Sequence, residues 1–171
     1  MIKARRDLTF ALLAGLSAAA ASAAPLVITK TSQTVSDPVG NLLPKAIPGA
    51  LIDYTISITN PVANGLTAVN GIYFSIVIPT KTKLCLADLG PLFSGPVAFT
   101  AGTSLLSYGF TALTSGTDGL DFSSDGGTTW TYQPIADSDG CDAAVTNVRV
   151  KMTGTQLAAS TASIRFRVKL K

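Results

Sequence analysis

Few residues in this chain could perform acid-base or nucleophilic chemistry. It contains no histidine, and each of its ten acids is an aspartate, so the usual base of nucleophilic triads and every glutamate acid are missing. Paired aspartates do acid and base work in glycosidases and aspartic proteases. No Asp-Thr/Ser-Gly signature is present here, and Asp118-Gly119 and Asp125-Gly126-Gly127 read as turns. The expectation is a protein that is not an enzyme, with an aspartate-dependent hydrolase as the remote alternative. Binding chemistry is better supplied. Asp137, Asp139 and Asp142 put three hard oxygen donors within six residues around Gly140, a spacing able to hold calcium. The place of an EF-hand's closing glutamate falls on Val148, so the other reading is an exposed Asx-rich turn. Trp130 and Tyr132 are candidates for stacking on a sugar. Arg149 and Lys151, with Arg165, Arg167 and Lys169, lie on the polar faces of two late strands. If those strands pair, they form a basic stripe able to attract an anionic polysaccharide or lipid headgroup; otherwise they are a solvated face that discourages edge pairing.

The elements that carry these residues are strands. Ile47-Pro48-Gly49-Ala50 reads as a turn, Pro48 presetting φ and Gly49 supplying a positive one. Ile52, Tyr54, Ile56 and Ile58 then alternate with Asp53, Thr55, Ser57 and Thr59, the period of a half-buried strand that Asn60-Pro61 ends. Residues 26–30, from Leu26 to Lys30, predict a first strand followed by a polar loop through Ser36-Asp37-Pro38. Residues 72–78 are apolar on both faces and predict a central strand. Residues 79–94 predict a long irregular connection carrying Cys85. Shorter strands are expected at 97–100, 105–113, 120–123, 130–133 and 145–152. The chain closes on 163–170, where Ile164, Phe166, Val168 and Leu170 alternate with basic residues. No long amphipathic helical pattern occurs after the first two dozen residues. The predicted fold is all-β, an Ig-like antiparallel β-sandwich.

Residues 1–23 read as a cleavable signal peptide. Lys3, Arg5 and Arg6 precede an apolar run from Leu8 to Ala21, and Ala21-Ser22-Ala23 offers small residues for cleavage before Ala24. The run is short for a bilayer span and no second apolar segment follows, so no retained transmembrane segment is expected. Arg5-Arg6 leaves twin-arginine export open beside the general route. The expected address is periplasmic, outer-surface or extracellular, with residues 24–171 forming one domain. The formal charge of +3 loses +2 with Lys3, Arg5, Arg6 and Asp7. The remaining +1 gives no basic surface for nucleic acid. In an oxidising compartment Cys85 and Cys141 are most simply a disulfide, two separate buried thiols being the alternative.

Two resemblances follow from longer stretches. Residues 123–130, SSDGGTTW, resemble the Asp-box hairpin of sialidase propellers, where the acid bonds loop amides and the tryptophan packs beneath. One copy cannot make a propeller, so the expectation is a hairpin with Trp130 in the core. Lys30, Ser36-Asp37-Pro38, KAIPGALIDYTISITNP at 45–61 and an apolar strand ending Ile78-Pro79 resemble the bacterial conserved repeat domain, also called domain of unknown function eleven. GPVAFTAG, DFSSDGGTTWTYQP, DSDGCDAAVTNVRV and the final IRFRVKLK extend the resemblance over the whole expected mature chain. It implies an Ig-like sandwich at the cell surface or secreted, with structural or adhesive roles and no activity. Family members carry an acid shortly before that Ile-Pro, where this chain has Ile76 and Val77. Expected partners are envelope or matrix components, polysaccharide among them. A second copy could also be engaged through Leu26 to Lys30, a strand that export would free.

Overall fold

The computed structural model describes residues 23–171, so the expected signal segment lies outside the described residues except for Ala23. Chain reversal at Pro48-Gly49 starts the central pairing. Ala50 N donates to the Ile47 carbonyl at 2.9 Å, and Gly49 has φ +86°. A Cβ at Gly49 would meet Pro38 Cγ at 2.7 Å, so glycine is needed for space as well as for conformation. Strand β2, Leu51–Thr59, runs on from it between two ten-residue strands, β1 at Val27–Ser36 and β12 at Thr161–Leu170. The β2–β12 register places Ile56 against Ile164, Tyr54 against Phe166 and Ile52 against Val168. All point to one face, and the Tyr54 and Phe166 rings stack at 5.4 Å between centroids.

On its other side β12 pairs with β5, Thr82–Cys85, near its end and with β6, Val97–Thr100, nearer its start. Strand β9, Cys141–Asp142, closes that edge against β5, and the opposed Cys85 and Cys141 are joined by a disulfide. These six strands form one layer. The second layer contains two three-stranded sheets. In one, β10 (Asn147–Lys151) lies between β4 (Tyr73–Val77) and β8 (Leu120–Ser123). In the other, β11 (Thr153–Gln156) lies between β3 (Val69–Asn70) and β7 (Leu105–Ser107). Met152 N bonds the Ile72 carbonyl at 3.0 Å across the join between them. All pairing is antiparallel, and the only helix among the described residues is a single 3-10 turn at Val62–Asn64.

The core lies between the layers. Ile56, Ile58, Ile164, Phe166 and Val168 face Phe74, Ile76, Phe122, Val148 and Val150, all buried. Each such side chain stabilises the fold by about 2 kcal/mol relative to exposure. The predicted β-sandwich and disulfide are therefore present. Asn60 ends β2 as expected, and its fully buried amide donates to the carbonyls of Thr67 and Gln156, both at 3.0 Å. Asp37 organises the following loop by accepting from the amides of Lys45 (2.8 Å), Asn41 and Val39. Those bonds, the one from Lys45 foremost, hold its carboxyl well below the ordinary range.

Several elements differ from expectation. Residues 31–36 continue β1 rather than forming a loop, since backbone pairing to β2 holds them without apolar alternation. Strand β4 is an edge strand, not a central one, and Tyr73 and Val77 are 64% and 65% exposed on its open face. Strand β5 occupies part of the expected irregular connection. Residues 130–133 make only an isolated bridge, Tyr132 to Phe122. Residues 108–113 fall outside β7.

Candidate functional site

The outer face of the β4–β10–β8 sheet carries the best-formed constellation. Registers set Ser75 beside Arg149, Arg149 beside Asp121 and Tyr73 beside Lys151. Because paired residues of an antiparallel ladder share a face, this alternation builds a polar row over the apolar floor of Phe74, Val148, Val150 and Phe122. Asp121 is 5% exposed. Its Oδ2 accepts from Arg149 Nε at 2.8 Å, with Arg149 Nη2 in ion-pair contact at 2.7 Å, and its Oδ1 accepts from Lys151 Nζ at 3.1 Å. A carboxylate so buried requires such partners.

Trp130 does not enter the core. It is half-buried on this outer face, with the Arg149 guanidinium 4.6 Å from its ring centroid, a cation–π arrangement. The hairpin before it is built as the Asp-box likeness implies. Asp125 accepts from the Ser123 hydroxyl at 2.7 Å and from the amides of Thr129 and Thr128 at 2.9 and 3.1 Å. Led by the Ser123 bond, these hold its carboxyl down at about 2. What differs is the tryptophan's direction, because the core beneath is already filled by Phe122 and Val148.

Two grooves share Trp130, Arg149 and Lys151. One, about 460 Å³, adds Tyr73 and Ser75; the other, about 450 Å³, adds Asp121, Tyr132 and Gln133 along its wall. Tyr132 lines that second groove, and its hydroxyl donates to Asp142 Oδ2 at 3.0 Å. Partial burial and then that acceptor raise its pKa above the ordinary phenol value.

The three acids proposed for calcium do not converge. Asp137 and Asp139 lie on Lys83 Nζ at 3.0 and 3.1 Å, and Lys169 reaches Asp139 at 3.2 Å. Asp142 instead accepts from Tyr132 and from the amides of Ile135 (2.9 Å) and Ala144 (2.7 Å). The Lys83 bond leads in holding the Asp139 carboxyl low, and the same contacts, Asp137 first, raise the lysine. Among the described residues no group of three His, Cys, Asp or Glu is placed to hold a metal ion.

The basic residues do not form one stripe, because β10 and β12 lie in different sheets and never pair. Arg165 and Arg167 sit on the larger sheet and converge on Asp53, itself 6% exposed. Arg167 Nε donates to Asp53 Oδ1 at 2.6 Å, Arg165 Nη1 binds Oδ2, and Arg165 Nη2 also bonds the Leu89 carbonyl at 3.0 Å. Burial alone would raise the Asp53 carboxyl, but the bonds from Arg167 and Arg165 outweigh it and lower the pKa. Of five surface grooves on the described residues, none is lined by more than one aspartate.

Tyr73 and Asp121 were not singled out from sequence. Tyr73 was hidden by the apolar run around it, and Asp121 by the turn-like residues that follow. The register of β10 against both neighbours would have exposed them. No family model, curated protein or solved structure matches the chain.

Proposed function

We propose that the chain is an exported structural and adhesive β-sandwich of the conserved-repeat type, without catalytic activity, that self-associates at the cell surface or outside the cell. The observation that carries this reading is β1. It pairs with β2 of its own domain from Val27↔Thr59 onward, which argues for addition of a neighbour along its open side rather than exchange of the strand. Seven of its first residues in sequence, from Val27 to Gln33, are exposed, with Val27 at 50% and Ile28 at 60%. It stands at the end of the six-stranded layer, so its outer edge carries unpaired amides and carbonyls. Edge protection is confined to the far end of the strand, where the register shifts between Thr34 and Ser36. The strand has no proline, and its one cation, Lys30, folds back over the Tyr54 ring at 4.5 Å.

A second copy fits this edge. Antiparallel pairing about a two-fold axis through Thr31 sets Lys30 opposite Ser32 and Ile28 opposite Thr34, each pair on one face, so no like charges meet. Light scattering of protein beginning at Ala24, across a concentration series, tests it. Association should disappear in a variant lacking residues 24–30. Thr31 and Ser32 turn their amides to opposite sides of β1, so one of the variants Thr31→Pro and Ser32→Pro should keep the native melting temperature and lose association. A monomer at every concentration, or association unchanged in all variants, contradicts the proposal. The expected melting behaviour identifies which proline is informative.

A second reading, a polysaccharide-binding module, is favoured by the groove between Tyr73 and Trp130, where an aromatic pair lies on one sheet face.

A further inference from the structure

The geometry points to a binding site for an acidic saccharide, a hexuronate unit within a polysaccharide, in the groove walled by Tyr73 and Trp130 and floored by Ser75, Arg149 and Lys151. This rests on the polysaccharide reading and adds the site and the ligand class. Charge is the first ground. Arg149 and Lys151 bring two positive charges to a single carboxylate, Asp121, so one positive charge is left in the groove floor. Asp121 is 5% exposed and lines the adjoining groove, not this one.

Donor geometry is the second ground. Arg149 donates through Nε to Asp121, with Nη2 in ion-pair contact, and among the described residues Nη1 makes no hydrogen bond. Lys151 Nζ donates to Asp121 Oδ1, with Oδ2 at ion-pair distance, which leaves two of its three donors. The held guanidinium and ammonium are therefore pre-oriented, and little side-chain freedom is lost when a carboxylate arrives. The Ser75 hydroxyl, beside Arg149 in the ladder, adds a partner for a sugar hydroxyl.

Apolar walls are the third ground. Tyr73 is 64% exposed although it is a large aromatic on a formed strand, and Trp130 stands over Arg149 instead of in the core. Pyranose rings present C–H faces that pack on aromatic rings, while their rims carry hydroxyls and, in uronates, a carboxylate. A groove of about 460 Å³ is of the size for one or two such units. The Asp53 cluster on the other sheet has the same charges but no aromatic in its groove, and it carries no comparable inference.

Trp130 is the chain's only tryptophan, so its intrinsic emission reports on the two grooves that share it, and the Tyr73 variant assigns the signal to the one walled by Tyr73. The test is a fluorescence titration at low ionic strength with oligogalacturonate, with the same oligomer methyl-esterified, and with a neutral cello-oligosaccharide. Isothermal titration calorimetry provides the affinity of variants that lack the tryptophan. The expected result is an emission change with oligogalacturonate and at least about tenfold weaker binding of its ester. Tyr73→Ala and Trp130→Ala should each weaken binding about tenfold while the melting temperature stays near wild type. Lys151→Gln should reduce preference for the acid over the ester. Equal affinity for acid, ester and neutral oligomer would overturn the acidic-ligand inference and leave the polysaccharide reading standing. No binding of any of the three would overturn both. Wild-type affinity in the Tyr73 and Trp130 variants would overturn the site.

Discussion

Two clusters on opposite faces of the sandwich are made from the same parts. Each has one nearly buried aspartate, Asp53 or Asp121, held by two cations that alternate along a neighbouring strand. On the larger sheet the two arginines make four hydrogen bonds, three to Asp53 and one to the Leu89 carbonyl. Arg167 chelates Asp53 and Arg165 divides itself between Asp53 and the Leu89 carbonyl, so the cluster fastens β2, β12 and the loop before β6 together. On the smaller sheet the cations meet Asp121 from one side and open on the other into a groove with Tyr73 and Trp130. Charge patterning sets both clusters. The neighbouring aromatic residues and loop decide which one is a clamp and which one borders an aromatic-walled groove.

The largest effect expected concerns the bond nearest the groove's supporting loop. Reducing Cys85–Cys141 releases a constraint across a separation of 56 residues and should cost about 4 kcal/mol in the chain-entropy view. Denaturant melts with and without reductant measure it. Hydrogen exchange should rise first at residues 132–142, around Asp142 and Tyr132, and least at residues 163–167. The reverse order would break the comparison by making the Asp53 side the looser one.

Next comes the clamp itself. Asp53→Asn keeps the shape but leaves Arg165 and Arg167 without their anion, and should lower stability by about 2 kcal/mol by denaturant titration. The pH dependence has a definite sign. The folded-state carboxyls of Asp53 and Asp125 titrate below the ordinary value of 3.8, that of Asp125 at about 2. Their stabilisation is therefore complete above the unfolded value and is lost as pH falls from about 4 toward 2. Melting temperature should drop over that window, and less steeply in Asp53→Asn.

Smaller still is Trp130→Ala, which should change stability by about 1 kcal/mol or less because the ring packs on Arg149 outside the core. A loss of about 3 kcal/mol would instead match a core residue. The smallest effect is expected from millimolar calcium. With Asp137 and Asp139 held by Lys83, the melting temperature should stay constant. A rise that Asp139→Asn removes would show that calcium displaces the lysines.

How much of this was legible depended on whether a residue's neighbours were local. Strands β2 and β12 could be read directly because Ile52, Ile56, Ile58 and Ile164, Phe166, Val168 alternate with polar residues over a full strand length. The turn at Pro48-Gly49 and the disulfide pair carry their own chemistry. The second half of β1 was not legible, because an edge strand covered by nothing needs no alternation. For β4 an apolar run signalled burial on both faces, yet only one face met a layer. Strands β3 and β9 span two residues each, too short for any period. The site suffered most, since it depends on cross-sheet register. Trp130 and Arg149 are 19 positions apart, and nothing local in either segment says that β10 lies between β4 and β8.

Amide hydrogen exchange along β1 at low and at high protein concentration tests the central claim of self-association most directly. The proposal predicts that alternate amides between Val27 and Ser36, those turned to the open edge, gain protection as concentration rises, while the amides bonded to β2 are already protected and change little. Exchange across β1 that is independent of concentration, with the open-edge amides unprotected throughout, would contradict it.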